Sequence, residues 1–390
     1  MQTTYLLTAV ALLSLPSAVS ADEFTFDGTL SYDRFLDGRP GVEDGGFRVQ
    51  LGVEGFVALG QTRLTFDVEG YKAEYLDEGF VDGVLTLSGE GPFRWKFGLM
   101  REEWGQPDAT RLGMLVSPNL VFGPSPDIDP VAQPGAMLSF DLSDTVVLDV
   151  TALTGLRTSP LLAFDQRGGF GFPLEREIED GDLGEGALAL RLSGTSTALD
   201  WSVHAFKGLS RTPTFVQRGP TEVDAVHDEI TQIGFELEAA PGDWRIWSEG
   251  FWRIDGRNRL GETVDFGHLT LGAEYQFFAA FGGAADILLG AELRRDTRGE
   301  KADQPFQNGI AVGLKILQNS FQGWELDYAY LYDFDSEGDG HSLRVSKQIS
   351  ESPALDWEIS WTRLNAGEPG TVLDAFEQDS RISTSIKWKY

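Results

Sequence analysis

The residues with the chemistry to act on a solute are charged and alternate with apolar ones. Arg48, Arg94 and Lys96 each stand between apolar neighbours, as in Phe47-Arg48-Val49, and Arg63 precedes Leu64. A proline-rich stretch then brings Glu102, Glu103 and Asp108. Cations and carboxylates lining a confined aqueous space act on ions and dipoles through their field, with no bond made or broken.

Bond-making chemistry is poorly served. No cysteine is present, which removes disulfides, thiolate metal sites and cysteine nucleophiles. His204, His227, His268 and His341 are scattered; His227, close to Asp224 and Asp228, is the best placed, but it belongs to no recognisable hydrolase motif. Asp333-Phe-Asp335-Ser-Glu337-Gly338-Asp339 has the first half of a calcium loop, yet Arg344 replaces the bidentate glutamate. It reads instead as an acidic hairpin tip. Glu102 and Glu103 invite a glycosidase reading, but neither a defined separation nor a raised pKa follows from their spacing. No enzyme, metal site or cofactor is expected.

Among 390 residues, 61 are acidic and 31 basic, and the net charge of −30 argues against nucleic acid as a partner. A mean hydropathy of −0.18 excludes a bundle of membrane helices, and 41% hydrophobic content is too apolar for disorder. Neither value excludes a membrane protein that shows lipid only half of each segment. Residues 1–21 read as a cleaved signal peptide: an apolar run from Tyr5 to Leu15, then Pro16, then Val19-Ser20-Ala21 before Asp22. That run is shorter than the roughly 20 residues of a membrane-spanning helix. No Lys or Arg precedes it, a departure from the usual pattern. Export without cysteine suits a bacterial envelope.

The elements that position the charges are strands. Trp324, Leu326, Tyr328, Tyr330, Tyr332 and Phe334 share one face, with Glu325, Asp327, Asp333 and Asp335 on the other. The same two-faced pattern runs through 47–54, 64–68, 93–99, 199–205, 233–239, 269–277, 287–293 and 355–362, and no convincing helix interrupts it. Tight turns such as Leu59-Gly60-Gln61 and Pro241-Gly242-Asp243 alternate with longer polar connections near 37–45, 102–135, 157–184, 210–228, 257–265, 298–307 and 366–376. Residues 22–390 thus predict one closed, antiparallel transmembrane β-barrel of about 18 strands, with about 16 as the alternative. A soluble β-sandwich or solenoid would need a second sheet to cover so many apolar faces.

The chain ends Arg381-Ile-Ser-Thr-Ser-Ile-Lys-Trp388-Lys-Tyr390, an alternating strand closing on an aromatic. Trp388 and Tyr390 resemble the signal read by the bacterial barrel assembly machinery. In layout residues 22–390 resemble the bacterial outer-membrane porins, and Gly98-Leu-Met-Arg-Glu-Glu-Trp-Gly-Gln-Pro-Asp108 resembles their entrance to a long third loop. The resemblance implies that residues 102–135, which hold six prolines, fold inward as a constriction loop. It also implies an eyelet in which Arg48, Arg63, Arg94 and Lys96 face Glu102, Glu103 and Asp108. Local pairing of these cations with Glu54, Asp67 and Glu69 is the competing arrangement.

The function expected is passive diffusion of small polar solutes or ions across the outer membrane, with weak cation preference. Two alternatives stay open. A channel selective for a sugar or carboxylate would line the lumen with aromatics, for which Phe56, Tyr71 and Trp247 are candidates. A structural or adhesive barrel would not conduct. Partners expected are the lipid bilayer and lipopolysaccharide, and the resemblance to porins implies a homotrimer.

Overall fold

The structure is a computed structural model, and it describes residues 21–38, 42–76, 79–102, 104, 131–158, 167, 174–181, 184–218, 222–320, 322–352, 354–367 and 377–390. The signal-peptide reading falls on residues 1–20, outside that set but for Ala21, which opens the first strand. The first seven strands are β1 (Ala21–Phe35), β2 (Gly45–Leu59), β3 (Thr62–Ala73), β4 (Phe80–Gly89), β5 (Arg94–Met100), β6 (Gln133–Ser143) and β7 (Val146–Leu153). Then come β8 (Leu174–Asp180), β9 (Ala187–Thr195), β10 (Asp200–Leu209), β11 (Thr214–Gln217), β12 (Val223–Ala239), β13 (Trp244–Arg257) and β14 (Thr263–Ala279). The last six are β15 (Ala285–Asp296), β16 (Gly309–Gln318), β17 (Trp324–Asp333), β18 (Asp339–Glu351), β19 (Ala354–Asn365) and β20 (Arg381–Lys389).

Among the described residues, all but β8 and β11 pair antiparallel with their neighbours and close into an 18-strand ring. The seam runs from Asp27 opposite Lys389 to Phe35 opposite Arg381. Tyr390 extends it by two backbone hydrogen bonds with Phe26, at 3.1 and 2.8 Å. Closure leaves no sheet edge and satisfies the backbone without water, the condition for a sheet in hydrocarbon.

The period of two then sorts every side chain. On β1 and β2, Phe24, Phe26, Leu30, Tyr32, Phe47, Val49 and Leu51 are exposed on the outer face. Asp33 and Arg48 are buried on the inner one. At the end of the seam away from Phe35 and Arg381, Trp388 lies across Gly28, where a Cβ would stand 2.3 Å from its ring. Only glycine permits so close an approach. At Leu59-Gly60-Gln61 the turn takes Gly60 to φ 70°, again a glycine conformation.

No helix among the described residues is long and apolar enough to cross a membrane, a statement that does not bear on strands. Among the described residues one α-helical turn, Ala280–Gly283, occurs, and it occupies a tight connection. The expected loops at 157–184 and 210–228 are richer than anticipated. Each holds a strand: β11 pairs with residues 223–226 of β12, and β8 pairs in parallel with residues 223–228. Because β10 and β13 meet β12 only from residue 229 onward, this three-stranded sheet rises beyond the wall at its outer end.

Candidate functional site

The ring's interior is the candidate site. Strand register decides at what level each inward charge lies. Arg63, Ser88 and Lys96 form one cross-strand row near the short turns, with Arg94 next to it. Arg48 is elsewhere: it pairs with Ala73 at the far end of β3, whereas Arg63 pairs with Ala58. At about 3.3 Å per residue the two levels are roughly 33 Å apart along the strand. The structure therefore brings three of the four expected cations together and leaves Arg48 out.

Each of these cations has a neighbour. Arg48 Nε lies 3.2 Å from Asp33, which also accepts hydrogen bonds from the Tyr75 and Ser383 hydroxyls, both at 2.5 Å. Arg94 pairs with Asp141 at 2.9 Å, and Lys96 with Glu102 at 2.7 Å. Arg63 lies over the Phe56 ring, 3.6 Å from its centroid. Glu102 is thus a direct partner of Lys96 and not a group facing it across the opening. Two of the three partners expected for local pairing are taken by other cations: Glu54 by Lys389 at 3.0 Å, Asp67 by Arg101 at 2.9 Å. Glu103 and Asp108 lie outside the described residues.

The described roots of the long third connection run along the inner wall. Trp104 is 3% exposed and packs in one apolar cluster with Met100, Met137, Leu153, Ala189, Phe206 and Ile230, every one an inward position of its strand. Its indole can reach them only from within the ring. Next to it Asp82 binds Arg157 at 2.8 Å and Arg101 at 3.5 Å, and takes the Ala132 amide at 3.2 Å. Gln133 ties the root to Arg157 through two hydrogen bonds, at 2.7 and 3.1 Å. These carboxylate–guanidinium contacts hold both ends of the connection inside.

A second contact across the mouth comes from Arg167, which lies between β7 and β8 in the chain. Arg167 is fully buried against the β1 side of the mouth, its guanidinium 4.5 Å from the Phe35 ring centroid. It donates to the Asp37 and Glu43 carbonyls at 2.9 and 3.2 Å and pairs with Asp44 at 3.2 Å. Since β7 and β1 are separated by five wall strands, Arg167 ties one side of the outer mouth to another.

On the far wall Arg253 stands between Phe251 and Phe266, 5.3 and 5.4 Å from their centroids, and donates to Gln232 at 2.8 Å. Phe56, Tyr71 and Trp247 do not form a line. Tyr71 is packed with Phe35, Tyr75 and Phe80 at the outer end, Phe56 is toward the opposite end, and Trp247 bonds Glu292 on β13's side of the ring. His227 has a structural role in the outer sheet, with Nδ1 2.7 Å from the Ser210 carbonyl and Nε2 3.2 Å from Glu177. In the same sheet Asp224 is buried, which by itself would raise its carboxyl pKa. Hydrogen bonds and charge from Arg176 and Arg218, at 2.8 and 2.7 Å, outweigh this and hold it below the usual range. Asp333 caps its own turn by accepting the Asp335 and Ser336 amides, both at 2.9 Å, and no metal-holding cluster occurs among the described residues.

Sequence reasoning missed Trp104, Arg157, Arg167 and Arg253. Arg253 is two residues from inward Phe251 and shares its face, so parity could have found it. Trp104 directly follows the carboxylates already singled out. Nothing local marks Arg167.

No protein-family model and no curated protein sequence matches the chain. Solved structures do. Over 96% of this chain and 99% of the other, it is similar to OccAB4 of Acinetobacter baumannii, at a TM-score of 0.56 and 10% identity. It is similar to OpdQ of Pseudomonas aeruginosa over 94% and 97%, at 0.53 and 11% identity. OprD of the same organism matches over 95% of both chains, at 0.52 and 11%. Sequence identity this low leaves the fold as the common ground, and that fold is the large closed antiparallel β-barrel.

Proposed function

We propose that the chain forms a passive, water-filled channel in the bacterial outer membrane for small polar solutes and ions. The observation that carries this reading is the sorting of side chains around a closed ring: charge inward, apolar surface outward. Such a wall suits lipid outside and water inside. Trp104 and the Asp82 network narrow the bore on one side, in keeping with an inward third connection. Export by a cleaved leader, delivery through Trp388 and Tyr390 to the assembly machinery, and a homotrimeric state belong to the same proposal.

The selectivity proposed is a weak preference for cations. Lumen acids Asp149, Glu274 and Asp356 have no ion-pair partner among the described residues, and the net charge of −30 makes the mouths negative. Arg63 and Arg253 oppose them, which keeps the preference small. The eyelet proposed is reduced to Arg63, Arg94 and Lys96 on the wall with Glu102, Glu103 and Asp108 on the connection; Arg48 serves the outer mouth. A solute-selective channel is the second reading, favoured by Arg253, whose planar cation between two rings suits an anionic or flat solute.

Single-channel recording in planar bilayers, with reversal potentials under a salt gradient, tests all of this. Stepwise conductance with a small cation-directed reversal potential supports the proposal. Absence of conductance by a folded, heat-modifiable barrel removes it, and anion selectivity removes the charge argument.

A further inference from the structure

The barrel's outward face is apolar almost throughout, so outward cations at one end stand out. Arg34 on β1 and Arg363 on β19 are both exposed, and neither has a partner among the described residues. Each sits within two residues of its strand's outer end. Strand β20 separates them, with Arg34 opposite Ile382 and Ile382 opposite Trp361, one outward step below Arg363. Two strand spacings of about 4.8 Å and one two-residue step put their Cα atoms about 12 Å apart. Extended arginine side chains cover that gap.

The surroundings are organised. Arg363 is the cross-strand neighbour of His341, whose ring stacks on Trp361 at 25° and lies 5.0 Å from Tyr330. Both His341 nitrogens are engaged, Nδ1 with the Tyr328 hydroxyl at 2.9 Å and Nε2 with Asp339 at 3.1 Å. The ring is therefore a fixed part of an aromatic shelf beneath Arg363. Below the shelf the outward residues are apolar except for Thr384: Leu30, Ile359, Ile382 and Ile386.

We propose that Arg34 and Arg363 clasp the phosphate of an outer-leaflet glycolipid whose acyl chains lie down this apolar strip. An arginine facing lipid is costly at midplane but costs little near the interface, where an anionic headgroup is within reach. The planar guanidinium matches phosphate oxygens two at a time. Lipid is favoured over free phosphate because the cations sit directly above a largely apolar wall. The inference rests on the membrane-barrel reading, and conductance of the same variants keeps the two separable.

The test is native mass spectrometry of detergent-purified protein with bisphosphorylated lipid A, fully dephosphorylated lipid A, and inorganic phosphate as competitor. Wild type is expected to retain lipid A and not its dephosphorylated form, with inorganic phosphate failing to displace it. The R34A/R363A pair should retain it at least about tenfold more weakly. K207A, which removes a lone outward cation on β10, should match wild type, and R34K/R363K should fall between. Single-channel conductance of R34A/R363A should be unchanged. Equal retention by R34A/R363A, equal retention of dephosphorylated lipid, or displacement by inorganic phosphate would each overturn the clasp. The wild-type comparison of the two lipids decides the matter even if R34A/R363A does not fold.

Discussion

Replacing Arg167 should release the link it makes across the outer mouth. The guanidinium donates charge-assisted hydrogen bonds to the carbonyls of Asp37 and Glu43 and to the Asp44 carboxylate. It also stacks on Phe35, and Asp379 lies 3.9 Å away. The acceptors sit at the rim and can be rehydrated in its absence, so each bond contributes nearer 1 than 3 kcal/mol. Asp44 is 46% exposed, which discounts that ion pair further. With about 0.5–1 kcal/mol from the ring, Arg167→Ala should weaken the anchor by about 3 kcal/mol, on the order of a hundredfold in the released population. Arg167→Lys keeps charge but cannot reach several acceptors at once, so it should fall between. Two measurements report the change: open-channel current noise, expected to rise, and thermolysin cleavage between residues 158 and 174, expected to accelerate. Wild-type noise and cleavage rate in Arg167→Ala would show that Arg167 does not anchor the connection.

Other outcomes follow from the same geometry. Trp104→Ala removes the indole from the inner apolar cluster and should cost about 3–5 kcal/mol of local stability; conductance should increase, and an unchanged value would place Trp104 outside the bore. Gly28→Val sets a Cβ against the Trp388 ring, so the folded, heat-modifiable fraction should drop, as it should on deleting Tyr390 and its two backbone bonds. The Asp224 carboxyl is held below its usual range, so its contribution is complete above about pH 4 and disappears as the pH falls through the depressed value. Amide exchange in β11 should accordingly stay slow at pH 5 and quicken only in strong acid, whereas Asp224→Asn should quicken it at pH 7. Loss of protection already at pH 5 would contradict the pairing with Arg176 and Arg218.

The wall was legible from local pattern. Alternation in 47–54, 93–99 and 324–334 assigns each residue to lipid or lumen because successive strand side chains point oppositely, a property of two neighbouring peptide units. Turns such as Leu59-Gly60-Gln61 were legible for the same reason, and with them the strand count and the inward direction of Arg48, Arg63, Arg94 and Lys96. Depth was not. How far up the wall a charge lies depends on the register each strand adopts with its neighbours, summed around the ring to the β1–β20 seam. That is why Arg48 parts from Arg63, and why Lys96 meets Glu102 as a partner. The loops are further still from local rules. Arg167 finds Phe35 and Asp44 more than a hundred residues away, and Trp104 finds Phe206, contacts that exist only once the barrel has closed. Parity is written into the chain one residue at a time, whereas level, pairing and loop path arise from the closed ring as a whole.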